Sequence, residues 1–160
     1  MELSAEDVRD FHEMRDRARI QDLLYREARA IDTRDWSLWY SCFTEDADID
    51  WRENGAIRGR RDEVGPWFIK VCENFPVPAY QHFITNIEIA LNGDSAKSRE
   101  LQLIPISLAS PNGGRQIAFS GIWFEDEMVR VGRDWKIAKR TERLAFRHNF
   151  PEAYETPDGY

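Results

Sequence analysis

Histidine and the carboxylates are the side chains best suited to moving a proton near neutral pH. The chain has three histidines, His12, His82 and His148. They share no metal-ligand spacing, so no metal is expected, and no Walker, GxGxxG, HExxH or GxSxG motif occurs. Two residues invite a chemical reading. Asp32 closes a long helical stretch, and His82 stands at the start of a strand-like run, Gln81-His82-Phe83-Ile84. A carboxylate against an imidazole sets the tautomer and stabilises the imidazolium, leaving the second ring nitrogen to accept a proton. Each also has a plainer reading, Asp32 as a helix-end cap and His82 as a structural histidine. Their separation in sequence leaves contact between them open.

Glu27 is the third candidate. At about 100° per residue it falls between Ile20, Leu23, Leu24 and Ile31, in the middle of an apolar helical stripe. A carboxylate there is either paired with an arginine, such as Arg140 or Arg143, or faces a cavity. Trp51, Trp67, Phe68, Trp123 and Phe124 provide aromatic surface for a core or for a ligand cage. Tyr25 and Arg143 are candidates for meeting charge that develops on a substrate.

The elements that must position these groups follow from patterning. Ser4-Ala5-Glu6-Asp7 reads as a helix N-cap with its acidic partner three residues on. Apolar residues at Phe11, Met14, Ala18, Ile20, Leu23, Leu24, Ala28 and Ile31 then keep helical spacing. Thr33 to Asp35 interrupts, and Trp36, Trp39, Tyr40 and Phe43 suggest a short second helix. A strand over 47–52, a hairpin at Glu53-Asn54-Gly55 and a return strand over 56–58 come next. A helix over 60–75 tolerates Pro66 only in its first turn, and Pro76 and Pro78 end it. Four long strands follow, over 80–91, 96–109, 116–131 and 135–146, with Pro105 marking an edge or a bulge. The tail from Asn149 reads as irregular.

Helices followed by a run of strands predict one α+β domain over residues 1–160, a curved and mostly antiparallel sheet wrapped around N-terminal helices. Parity poses a problem for His82, because Phe83, Ile87, Ile89 and Leu91 share the opposite strand face. A bulge near Ile84 to Asn86, or a sheet covered on both faces, would resolve it.

Composition narrows the partners. The net charge of −7 comes with no basic stripe, and Arg58, Arg60 and Arg61 are flanked by Asp62 and Glu63. No nucleic-acid partner is therefore expected. Cys42 and Cys72 lack CxxC spacing and read as reduced thiols. No apolar run approaches the ~20 residues needed to span a bilayer, so no membrane partner is expected. The polar segment Met1 to Arg9 does not read as a signal peptide, and cytoplasmic localisation is the expectation. A sheet apolar on one face and aromatic-rich on the other should be covered on both, which predicts a homo-oligomer, a trimer before a dimer.

The stretch Glu27-Ala28-Arg29-Ala30-Ile31-Asp32-Thr33-Arg34-Asp35-Trp36 resembles the first helix of SnoaL-like proteins in the nuclear transport factor 2-like superfamily. Gln81-His82-Phe83-Ile84 is similar to the catalytic-histidine strand of their scytalone dehydratase-like members, and Gly132-Arg133-Asp134-Trp135-Lys136-Ile137 resembles the last hairpin. The resemblance spans roughly residues 10 to 150. It implies a cone-shaped α+β barrel and a cofactor-free lyase or isomerase working on a hydrophobic cyclic or aromatic molecule. By position it implies Asp32 and His82 as the catalytic pair and Glu27 as a pocket residue. Tyr25, Trp51, Phe68, Phe124 and Arg143 are the further substrate-binding candidates. The tyrosines that hold the carbonyl in scytalone dehydratase correspond to Ile31 and Trp51. Its second pocket histidine falls near Ile106, and its serine and asparagine near Ile122 and Phe124, so a more apolar ligand is implied. Leu24 to Arg29 also resembles the start of the structural β subunits of aromatic-ring-hydroxylating dioxygenases, where a dyad histidine is not expected. A non-catalytic ligand-binding domain is a third reading.

Overall fold

The computed structural model describes residues 3–74 and 80–151. The first helix, α1 (Ala5–Thr33), starts where the sequence signals it: Ser4 Oγ accepts the Asp7 amide at 3.1 Å, and Asp7 Oδ2 accepts the Ser4 amide at 2.9 Å. It ends because Arg34 turns left-handed, with φ 55°, and the Asp35 amide donates back to the Ala30 carbonyl at 2.9 Å. Asp35 then caps α2 (Trp36–Ser41) by accepting the Leu38 amide at 3.0 Å. Thr33 to Asp35 is thus a designed break between two helices.

Burial along α1 begins later than its apolar spacing predicts. Phe11 and Met14 are exposed, while Ile20, Leu23, Leu24 and Ile31 are in the core. The turns at the far end of the sheet touch the helix at Asp16, through Arg130 at 2.8 Å, and at Arg19, through the Arg133 carbonyl. The helical turns before these contacts are left largely uncovered.

The remaining elements are β1 (Phe43–Asp50), β2 (Arg58–Arg60), α3 (Arg61–Glu73), β3 (Phe83–Asn92), β4 (Ser95–Ala109), β5 (Arg115–Val131) and β6 (Asp134–His148). They form one six-stranded sheet in the order β2-β1-β6-β5-β4-β3. All pairings are antiparallel except β1 with β6, which is parallel. The first strand starts at Phe43 rather than Ala47, because Phe43 pairs with Ile137. The return strand is displaced to 58–60: Arg52–Asn54 forms a 3₁₀ turn closed by Gly55 at φ 82°, and the Trp51 amide donates to the Ile57 carbonyl at 3.0 Å. Pro66 lies in the second turn of α3, not the first. The loss of a single backbone hydrogen bond there is tolerated in a helix held by Trp67 and Phe68 against the core. Pro76 and Pro78 lie outside the described residues.

One face of β4 and β5 is buried at even positions, from Ser98 to Leu108 and from Ala118 to Met128. On β6 a register shift opposite Glu127 and Met128 moves the inward side from Trp135 and Ile137 to Arg140 and Glu142. A second shift, between Thr85 and Glu88, resolves the parity problem of His82. Asn86 adopts φ 52° there, so Ile84 points inward on the histidine's parity while Ile87, Ile89 and Leu91 point inward beyond the bulge.

Asn86 occupies a conformation that costs a β-branched residue about 1–2 kcal/mol and glycine nothing. Asn86→Val is expected to lower the urea unfolding free energy by about that amount, and Asn86→Gly to leave it nearly unchanged. Equal stability of the two variants would show that the bulge does not need its left-handed residue.

Candidate active site

Asp32 is the last-turn residue of α1, and its carboxylate receives the chain as it enters β3. The His82 backbone amide lies 3.1 Å from each carboxylate oxygen, and His82 Nδ1 lies 2.6 Å from Oδ1. Both side chains are mostly buried. The segment before β3 is pinned from the other side, with Tyr80 bridging to Ile106 and the Gln81 amide donating to the Pro105 carbonyl at 3.3 Å. Pro105 sits where the β3–β4 ladder has already ended, so its missing N–H costs that ladder nothing. A proton on Nδ1 satisfies the carboxylate and leaves the Nε2 lone pair as the basic site.

His82 forms part of the wall of a cavity of about 180 Å³ between the helices and the sheet. Trp51, Trp67, Phe68 and Phe124 line it, as do Ile31, Ile104, Ile106 and Ile122. The rings pack on one another, Trp51 with Phe68 at 5.0 Å and Trp51 with Trp67 at 6.5 Å between centroids. A dry cavity of ~150 Å³ holds benzene, so this partly open one has room for a one- or two-ring compound.

Beneath the cavity lies a buried ion cluster. Arg140, 1% exposed, donates to Asp126 through Nε at 2.8 Å and Nη2 at 2.6 Å. Its Nη1 lies 2.9 Å from Glu27 and its Nη2 3.5 Å from Glu100. Trp39 Nε1 donates to the other Glu27 oxygen at 2.9 Å. Burial alone would lower the basicity of Arg140, but the three carboxyl groups outweigh it and hold the guanidinium charged. One cation cannot balance three carboxylates, and burial favours the protonated form of both Glu100 and Asp126. Burial, reinforced by the charge of Asp126, pushes Glu100 up to about 9. Glu142, also in the cavity wall, is pushed up to about 8 by burial, against the Asn54 hydrogen bond and the charges of Arg140 and Arg147. It is mainly a neutral acid at pH 7.

The candidates read from sequence divide clearly. Asp32 and His82 meet, and Trp51, Phe68 and Phe124 line the cavity together with Glu27. Glu27 is nonetheless an ion-pair member, held by Arg140 and Trp39. Tyr25 is half exposed on the outer side of α1, away from the cavity. Arg143 is exposed and engaged with Glu53 at 3.1 Å and Glu125 at 3.3 Å. The β6 bulge points Arg140 and Glu142 inward and leaves Arg143 outside. Trp123 is also outside, stacked under Arg99 at 3.8 Å. Sequence reasoning missed Gln102, Ser120 and Glu142, all in the cavity wall. Parity with Ile104 and Ile106, and with Ile122 and Phe124, could have found the first two.

A family profile described as a SnoaL-like domain matches residues 12–141. The uncharacterized protein Rv2910c of Mycobacterium tuberculosis is 37% identical over 134 residues, covering 84% of this chain and 88% of that one. Two solved structures share the fold. A scytalone dehydratase-like protein of Novosphingobium aromaticivorans has a TM-score of 0.74 at 18% identity, covering 94% of this chain and 96% of that chain. The hexachlorocyclohexane dehydrochlorinase LinA-type3 of Novosphingobium barchaimii has a TM-score of 0.71 at 20% identity, covering 92% and 99%. The architecture is therefore the cone-shaped α+β fold that the resemblance implies. No described helix is long and apolar enough to cross a membrane.

Two outcomes follow from the buried charges. Glu100 and Glu142 bind protons more tightly folded than unfolded, where a glutamate titrates near ~4.3. Unfolding then releases protons, and stability should fall as pH rises from about 4.5 through 8 to 9, by at most ~1.4 kcal/mol per unit for each group. Urea unfolding at pH 5.5, 7 and 8.5 should show this slope, and Glu142→Gln should flatten it. Arg140→Met leaves buried carboxylates unpaired and should cost about 3–5 kcal/mol; a loss under 1 kcal/mol would mean the cluster is not closed to water.

Proposed function

Given that the chain belongs to the SnoaL-like family, we propose that it is a cofactor-free lyase or isomerase of the dehydratase type, using His82 and Asp32 as an acid-base pair on a hydrophobic cyclic or aromatic small molecule. The observation that carries this reading is the 2.6 Å contact of His82 Nδ1 with Asp32 at the wall of an aromatic cavity. Nε2 of His82 takes a proton from the carbon α to a carbonyl. The C–H electron pair moves into the carbonyl to give an enolate, and Asp32 stabilises the imidazolium. In an elimination the enolate expels a β-hydroxyl, which leaves as water with the proton held by His82. In an isomerisation His82 returns that proton to a different carbon. Glu27, locked to Arg140 and Trp39, is not the proton donor.

A structural role beneath a dioxygenase subunit would not require the carboxylate–imidazole contact to face an apolar cavity. The two readings separate on the isolated chain. One- and two-ring ketones, among them 1-tetralone and its 6-hydroxy derivative, incubated in D2O should exchange their α-protons faster with the protein than without it. His82→Ala should lose ~10²–10⁴-fold of that acceleration, Asp32→Asn should be strongly impaired, and the double variant should be little worse than His82→Ala. Catalysed exchange that is insensitive to both substitutions would refute the assignment.

The outer sheet face supports self-association. Phe83, Ile117 and Phe146 are each nearly half exposed there. A homo-oligomer, a trimer before a dimer, is expected by light scattering at a multiple of the 18.8 kDa chain; a monomer at micromolar concentration would contradict it.

A further inference from the structure

The cavity has a polar wall that the proton-transfer pair does not use. Gln102 on β4, Ser120 on β5 and Glu142 on β6 lie on adjacent strands, and all three line the cavity. They are 1%, 3% and 6% exposed. Gln102 Nε2, Ser120 Oγ and Glu142 Oε1 are each buried without a protein hydrogen-bond partner, and so is the indole Nε1 of Trp51 beside them in the cavity wall. The Arg140 guanidinium below them, by contrast, is engaged by Asp126 and Glu27. A buried polar atom left unpaired costs about 1–3 kcal/mol. Four of them in the wall of one cavity are therefore groups suited to meet polar atoms of a ligand.

Building on the proton-transfer reading above, we propose that Gln102, Ser120, Glu142 and Trp51 form a second, neutral hydrogen-bonding pole, which runs across the cavity from beside His82 and takes an uncharged oxygen of the ligand, a hydroxyl or carbonyl, beyond its reacting end. Position supports this. Gln102 pairs with Ile84, next to the entry of β3 where His82 stands, and the pole extends from there over β5, β6 and the end of β1, with strands ~4.8 Å apart. A two-ring compound carrying a reacting ketone at one end and an oxygen at the other reaches both. Donors and acceptors are mixed, since the amide and indole N–H groups donate while the serine hydroxyl does both. That combination suits a neutral hydroxyl or carbonyl. A carboxylate is disfavoured, because the nearby guanidinium of Arg140 is already engaged by Asp126 and Glu27, and Arg147 is held by Asn54. Burial keeps Glu142 mostly uncharged at neutral pH, which adds a hydroxyl donor to the set.

Three probes with one skeleton test the pole: 1-tetralone, 6-hydroxy-1-tetralone and the 6-carboxylate of 1-tetralone, with binding to the intact protein measured by calorimetry and by quenching of tryptophan fluorescence. The hydroxy compound is expected to bind about five- to tenfold more tightly than 1-tetralone, and the carboxylate more weakly than either. Gln102→Leu and Ser120→Ala should each reduce the ratio of 6-hydroxy-1-tetralone affinity to 1-tetralone affinity. Gln102→Leu should also raise the melting temperature of the free protein, because it removes an unpaired buried amide; a residue with a purely structural hydrogen bond would lower it. In His82→Ala the hydroxyl preference should persist although α-proton exchange is lost, so failure of the pole and failure of the acid-base assignment give different results. Equal binding of the hydroxy and unsubstituted ketones, tightest binding of the carboxylate, or a hydroxyl preference that survives both variants would each overturn the proposal.

Discussion

A guanidinium cannot be buried alone, and the lower half of this protein is arranged around that constraint. Arg140 has almost no exposure, so its charge must be met by carboxyl groups brought from separate elements: Glu27 from α1, Asp126 from β5 and Glu100 from β4. These contacts tie the helical layer to the middle of the sheet. A cluster of this kind adds little net stability over a well-packed apolar one, yet breaking it is costly. Its consequence is geometric. Through Glu27 it sets the position of α1 over the sheet, and α1 carries Asp32 five residues, about one and a half turns, further on.

Asp32 acts on the opposite edge of the same helix. One carboxylate accepts from both the backbone amide and the ring of His82, which fixes where β3 begins as well as how the imidazole is oriented. The bulge at Asn86 then returns the strand to the parity that packs Ile87, Ile89 and Leu91 against the core. The catalytic candidates therefore need no loop of their own. They sit between a helix end and a strand entry, both held by backbone contacts, which is the kind of support that preserves acid-base geometry.

The cavity between these anchor points is chemically uneven. Aromatic rings from the β1–β2 connection and α3 make one side, while strand residues make a side that is part aliphatic and part polar. Low polarity around His82 strengthens its contact with Asp32. The same low polarity keeps Glu142 protonated, so an acidic side chain serves there as a neutral hydrogen-bonding group. Burial thus sets the character of both ends of the cavity, by different routes.

Much of this was readable from residue order. The Ser4–Asp7 capping box, the break at Thr33–Asp35 and the four long strands follow local rules, because caps, turns and pleats depend on neighbours a few residues away. The family motifs around Asp32 and His82 marked the two residues that meet. Local rules could not place groups whose partners are distant in sequence. Glu27 read equally as an ion-pair member or a pocket residue until Arg140 was seen beside it. Arg140 and Arg143 read alike as partners of Glu27, because a single-residue shift in β6 exchanges the inward and outward faces and leaves no mark in composition. Arg143 lies outside the site and Glu142 inside it for that reason, whereas Tyr25 lies on the exposed side of α1. Sequence by itself determined the elements and the two residue types needed for proton transfer. Only the tertiary structure decided which side chains share the cavity, because strand register and bulges are set by pairing across the sheet, not by the residues of any one strand.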